Sequence, residues 1–285
     1  MRCCRCFEAP GRFRRNCELD SFLFGRERDV AAIIRSRFAG LRRVLQAILP
    51  PIVWRLLTKV NSAALPRYYA LNGLDEKLER YLDYEFGYFV ELGANDGVAQ
   101  SNTLFFERQK KWRGVLIEPS LNNFLKCKLV RSAENEFFCA ACVPFAYREK
   151  FVELLYSNLM TVPSILGGGR ISDPAEHARR GEQFLAKHEC VVRFGAEART
   201  LTAILTQAGA PKIMDLLSLD VEGAELQVLQ GLDHYQYRFK YMLIEYDDCA
   251  NLKDYLEPYG YRFVAQLSHH DWLFEDAISC KSTVI

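Results

Sequence analysis

One segment limits the choice of fold more than any other: Phe89-Val-Glu-Leu-Gly-Ala-Asn-Asp-Gly97, an apolar run that stops at two glycines four positions apart. A run this short suits a buried strand, and the helical pattern of Ser101 to Lys110 follows it. Glycine permits the tight turn between them and lets backbone amides approach a ligand with no Cβ in the way. A strand, a glycine turn and a helix form the first half of a parallel strand–helix–strand unit.

The alternation then repeats. Gly114–Ile117 reads as a second strand, Leu121–Leu129 as a helix and Phe137–Val143 as a third strand. Asp215–Leu219 and Tyr241–Glu245 are a fourth and fifth, separated by a helix at Ala224–Leu229 and followed by another at Asn251–Leu256. Arg262–Leu267 and Trp272–Phe274 close the chain, and the short turn Ser268-His-His-Asp271 forces them antiparallel. Such a pattern specifies a mostly parallel sheet with helices on both faces. Between the third and fourth strands lies an insertion around residues 150–190, with strand material at Lys150–Met160, a helix at Asp173–Lys187 carrying Pro174 at its first position, and then a helix at Leu201–Ala208.

The chain is long enough, at 285 residues, for one full α/β domain, expected over 65–285, plus an extension over 1–64. With 49% apolar and 26% charged residues the composition is that of a folded protein. The longest uncharged run, Leu154 to Gly169, is broken by Pro163 and three glycines, so no membrane span is expected. The arginine-rich start lacks the apolar stretch of a secretory signal, which makes the cytoplasm the default compartment. Residues 1–60 carry 13 Lys/Arg against 5 Asp/Glu, and the remainder 24 against 31. This basic arm, with the amphipathic stretch Leu41–Lys59, suits a leader or a peripheral contact with an anionic membrane; no nucleic-acid partner is expected. Cys3, Cys4, Cys6 and Cys17 lack the paired spacing of a zinc site, so no metal is assigned.

The chemistry follows from what the strand ends carry. A dinucleotide-binding turn has G-x-G-x-x-G and meets a pyrophosphate, whereas this one is G-x-x-x-G and carries Glu91, Asn95 and Asp96 beside Gly93 and Gly97. Carboxylates would repel a pyrophosphate, so the ligand is cationic or zwitterionic, and S-adenosylmethionine, with its sulfonium and ammonium, fits. Glu118-Pro119 ends the second strand, where an acid can accept hydrogen bonds from both ribose hydroxyls of an adenosine. The strand Asp215–Leu219 emits Asp220, Glu222 and Glu225 around Gly223, at the carboxyl edge where open α/β sheets bind ligands; Glu225 reads as a helix cap.

These segments, with Gln100-Ser-Asn-Thr-Leu104, Trp112 to Pro119 and Leu219-Asp-Val-Glu-Gly-Ala-Glu225, resemble the FkbM-type methyltransferases over about residues 65 to 276. The resemblance implies a Rossmann-like, seven-stranded sheet with the last two strands as a hairpin. It also implies S-adenosylmethionine-dependent O-methylation, commonly of a sugar, glycan or glycosylated natural product, and adds Ser101 and Asn102 to the cofactor set Glu91, Gly93, Asn95, Asp96, Gly97, Glu118, Pro119 and Asp220. A catalytically silent relative serving as a binding or scaffold protein is the alternative. A general base is wanted for a hydroxyl acceptor. A parallel sixth strand would bring His269 and His270 to the ligand edge with Asp271 to hold the tautomer; Asp220 and Glu222 are the other candidates.

Overall fold

The computed structural model describes residues 66–164 and 171–278. The extension over 1–64, with its cysteines and the stretch Leu41–Lys59, lies outside the described residues, as does the glycine run of the insertion.

Seven strands form the main sheet: β1 (Tyr88–Leu92), β2 (Arg113–Ile117), β3 (Glu136–Phe138), and, after a second sheet made of β4 (Ala141–Cys142), β5 (Phe151–Tyr156), β6 (Val162–Pro163) and β7 (Val192–Arg199), the strands β8 (Ile213–Leu219), β9 (Arg238–Glu245), β10 (Tyr261–Gln266) and β11 (Asp271–Asp276). The helices are α1 (Leu74–Glu79), α2 (Leu104–Lys110), α3 (Leu121–Val130), α4 (Pro174–Arg180), α5 (Leu201–Gln207), α6 (Glu225–Leu229) and α7 (Cys249–Leu256). The main order is β10-β11-β9-β8-β1-β2-β3. β1 pairs parallel with both β2 and β8, setting Val90 opposite Val115 and Leu217. Only β11 runs against its neighbours.

Period-two alternation decides which helix covers which face. Val90, Leu92, Val115, Ile117, Leu217 and Leu219 pack with Leu201 and Ile204 of α5, Val228 of α6 and Leu252 of α7. Their neighbours Phe89, Leu116, Leu216 and Leu243 pack on the opposite side with Leu78 of α1, Phe105 and Phe106 of α2 and Cys127 of α3. Two apolar faces explain why these strands read as nearly continuous hydrophobic runs. None of the described helices is long and apolar enough to cross a membrane.

The insertion is a small layer of its own, in the order β4-β7-β5-β6. Val152 and Leu154 of β5 face Ala141, Val143 and Ala196, while Leu155 turns to Ala178 of α4. Asp173 caps α4 by accepting from the Glu176 amide at 3.0 Å, with Pro174 next, as the sequence predicts.

Several elements differ from the sequence expectation. The third strand splits: Phe138 still bonds to Glu118 in the main sheet, but by Val143 the chain bonds to Arg199 in the second sheet. The expected helix 173–187 ends at Arg180 and tightens into a 3₁₀ turn over Gly181–Phe184. The helix after the glycine turn starts at Leu104, because the Ser101 hydroxyl accepts from the amides of Thr103 and Leu104. β7 was not expected: Val-Arg-Phe-Gly-Ala-Glu-Ala-Arg does alternate apolar with polar residues, placing Phe194, Ala196 and Ala198 on the packed face, but its glycine and two alanines are weak strand formers.

His234, in the turn before β9, is buried against the aromatic rings of Tyr255, Tyr259 and Tyr261, and stacks on Tyr259 at 4.2 Å. Burial pushes its pKa down to about 4. The unfolded chain therefore takes up this proton first. The stability tied to the neutral ring is whole above pH 6.5 and is lost as pH falls toward 4, by about 3 kcal/mol. Urea midpoints measured from pH 7 to 4 should show His234→Phe losing this part of the acid sensitivity, and equal slopes for both proteins would refute it.

Candidate active site

A cavity of about 320 Å³ opens at the carboxyl edge of β1, β2, β8 and β9, the size and place of a small-molecule site. Gly93, Glu118 and Asp220 bring the ends of three adjacent parallel strands to its wall, and Glu245 brings the fourth. The insertion supplies the facing wall through Leu154, Asn158, Met160, Thr161, His177 and Phe184.

Gly93 is required by the sheet as much as by any ligand. Its φ is +77°, and a Cβ there would lie 1.9 Å from the carbonyl oxygen of Asp220. Glu118 is held by two amides, Asn95 N–H to Oε2 and Ser120 N–H to Oε1, each at 2.9 Å. Each oxygen keeps a lone pair for a further donor. Burial outweighs those two bonds and pushes the carboxyl up to about 7.

Asn102 lines the cavity, donates from Nδ2 to Ser218 Oγ at 3.0 Å, and leaves Oδ1 buried with no protein partner. An orphaned buried acceptor on a cavity wall invites a donor from a ligand. Asn95, left-handed at φ 45°, reaches across to the insertion, donating from Nδ2 to Asn158 Oδ1 at 3.1 Å.

Other residues singled out by the sequence serve the frame. Glu91 touches the wall, but its carboxylate is taken by Ser101 Oγ, the Asn102 amide, Thr103 Oγ1 and Arg131 Nη1, all within 3.0 Å. Ser101 thus lines the cavity with its hydroxyl committed. Asp96 and Gly97 are off the wall: Asp96 Oδ1 accepts from the amides of Val98 and Ala99, and a Cβ on Gly97 would strike Arg131 and Cys127. Pro119 is on the wall beside Glu118.

The acids diverge in role. Burial first, and then Glu245, Glu222, Glu225 and Asp271, push Asp220 well above the carboxylate range. Glu225 accepts from the amides of Val221 and Gly223, so it closes the turn ahead of α6 where a cap of the helix itself was expected. Glu222 keeps a left-handed backbone, φ 55°, ahead of Gly223 at 93°, a conformation that costs about 1 kcal/mol in a residue with a Cβ. Its Oε2 lies 2.8 Å from Nε2 of His177, off the line of a hydrogen bond.

The hairpin histidines are not part of the wall. The tip does reach the carboxyl edge, where His270 accepts from the Tyr246 amide at 2.8 Å. The rings, however, stack on each other 4.4 Å apart, and His270 Nδ1 pairs with Asp247 at 2.8 Å, nearly half exposed. Asp271 accepts from Ser268 instead of orienting an imidazole. A polar tip gains more from solvent and local bonds than from turning inward, which corrects the expectation for His269, His270 and Asp271.

Two residues on which the site's arrangement depends have no sequence signal. Arg131, at the end of α3, is wholly buried and bonds Glu91, Glu107, Thr103 and the Gly97 carbonyl. His177 comes from the insertion, where the helix is legible but its landing place is not. Removing Arg131 strands two buried carboxylates, so Arg131→Met should lower unfolding free energy by about 3 to 5 kcal/mol. Chemical denaturation measures this, and a loss below about 1 kcal/mol would show the network to be dispensable.

A family model described as the methyltransferase FkbM domain matches residues 91–263. Among solved structures, one described as human methyltransferase 10 domain containing protein is similar at 12% identity over 70% of this chain and 80% of that chain, with a TM-score of 0.37, too distant to carry chemistry across. No curated protein matches the chain.

Proposed function

The chain belongs to the FkbM methyltransferase family, and from that premise we propose that it transfers a methyl group from S-adenosylmethionine to a hydroxyl oxygen of a sugar, glycan or glycosylated natural product. The doubly covered sheet, parallel through β3, β2, β1, β8 and β9, supports a Rossmann-like reading of the fold.

The observation that carries the proposal is Glu118, a buried carboxylate at the end of β2 with a lone pair on each oxygen still to be filled. Two vicinal ribose hydroxyls have the donors to fill them. The rest of the wall suits the same nucleoside. Ile117, Ala140, Ala141 and Cys142 give an apolar bed for a base, and the unpartnered Asn102 Oδ1 can accept from an ammonium. Asp220, Glu222 and Glu245 make this a setting for a cation and a poor one for a pyrophosphate.

Bound there, S-adenosylmethionine supplies an electrophilic methyl on a sulfonium. The chain's part is to hold the nucleoside through Glu118 and Asn102, to present the acceptor from the insertion side, and to exclude water that would compete with it.

Calorimetry separates this reading from a dinucleotide enzyme: S-adenosylhomocysteine should bind and NAD should not, and the reverse would refute it. Glu118→Ala should weaken the nucleoside by about 1.5 to 3 kcal/mol, the scale of hydrogen bonds to a charged group. Glu118 accepts best when ionised, and its empty-site pKa lies at about 7. Affinity should accordingly fall about tenfold from pH 8 to pH 6 as the proton must be expelled. Glu118→Gln should abolish that dependence; an unchanged pH profile in the variant would assign it to another group.

A further inference from the structure

We infer that His177 is the base that takes the acceptor's proton, with Glu222 as the residue that positions it, an assignment that rests on the methyltransferase reading and deepens it to a hydroxyl acceptor. The two side chains come from different layers. His177 sits on α4 of the insertion, and Glu222 on the turn between β8 and α6; both line the cavity and meet at 2.8 Å. They are largely withdrawn from water, at 12% and 16% side-chain exposure.

Glu222 holds a left-handed backbone to stand where it does, and strain of that kind gathers at sites where position matters. The contact is short but off the N–H line, the ordinary state of such pairs before substrate tightens them. With Glu222 accepting from Nε2–H, the lone pair is on Nδ1. An alcohol is a poor nucleophile unless its proton leaves as the new bond forms, and an imidazole is the side chain suited to take it near neutral pH. The acceptor oxygen forms the new C–O bond, the pair of the broken S–C bond stays on sulfur, and the O–H proton passes to Nδ1. The charged groups that share the cavity with His177 are Glu222, 2.8 Å away, and Glu91, Glu118, Asp220 and Glu245, and those on its own helix are Glu176, Arg179 and Arg180.

A test without the acceptor uses the charge of the methyl donor. In full-length protein with ¹³C-labelled histidine, the five imidazoles are assigned by single His→Gln variants and titrated by NMR in two complexes. S-adenosylmethionine and S-adenosylhomocysteine differ in having a sulfonium or a neutral sulfur. A base beside the methyl must feel that cation, so the midpoint of His177 should be about one pH unit lower with S-adenosylmethionine. Glu222→Gln should lower it further in both complexes, each titrated with the nucleoside at saturation so that any change in affinity is separated from the change in midpoint.

If both nucleosides bind and the His177 midpoint is the same in each, His177 is not beside the methyl and the proposal is overturned. If it responds to the sulfonium but not to Glu222→Gln, the positioning role of Glu222 is overturned. Failure of either nucleoside to bind is a different result, seen by calorimetry before any titration, and it removes the cofactor reading on which the base assignment stands. Once the His177 signal is assigned, the comparison between the two complexes is made on the unaltered protein, so poor folding of Glu222→Gln does not blunt it.

Discussion

The site is built on one buried arginine and the two carboxylates paired with it. Arg131 has no exposed side-chain surface, and its guanidinium joins Glu91 at 3.0 Å and Glu107 at 2.8 Å. Through Glu91 it holds the loop Ser101–Thr103, through the Gly97 carbonyl it holds the glycine turn, and through Glu107 it reaches Ser132 and Asn135. Asn135 in turn accepts from the Gly114 amide at the start of β2. Strand β1, the turn, and helices α2 and α3 are thereby fixed relative to one another by groups that cannot leave without stranding a charge. An apolar cluster could match this in stability, but it would not aim the loop: hydrogen bonds to Glu91 set where Ser101 and Asn102 stand, and that leaves the oxygen of Asn102, a residue of the cavity wall, buried without a protein partner.

The same economy separates two kinds of acid. Glu91 is saturated by donors and acts as scaffold. Glu118 is buried and Asp220 half-buried, each with fewer partners, and both are pushed toward the protonated form. A cluster of under-paired carboxyls around one cavity opposes its own ionisation, and a bound cation relieves that repulsion. The acids read from the sequence as one set therefore divide by hydrogen bonding into frame and site.

The second layer completes the enclosure. The insertion has its own small core and touches the turn through the Asn95–Asn158 carboxamide bond and the cavity through His177. The cavity wall that the insertion contributes is thus formed by residues far in sequence from those at the ends of β1, β2 and β8, which lets one side vary without disturbing the other.

The sequence by itself determined the parallel core, the glycine turn, the acid ending β2 and the antiparallel close. Each of these rests on local chemistry: apolar runs of strand length, glycine where φ is positive, and a turn too short to cross over. It also determined that Asp220 and Glu118 share an edge, since parallel strands end together. Only the tertiary structure decided the rest. Whether Glu91 faces a ligand or an arginine depends on Arg131, forty positions away. Strand β7 alternates apolar with polar residues, but with glycine and two alanines in it only its pairing with β5 makes it a strand. His269 and His270 reach the right edge yet turn to solvent and Asp247, while His177, on a helix of the insertion, meets Glu222 across the cavity. Local pattern fixes where a strand ends; which side chain turns inward is settled by partners that only folding brings into reach.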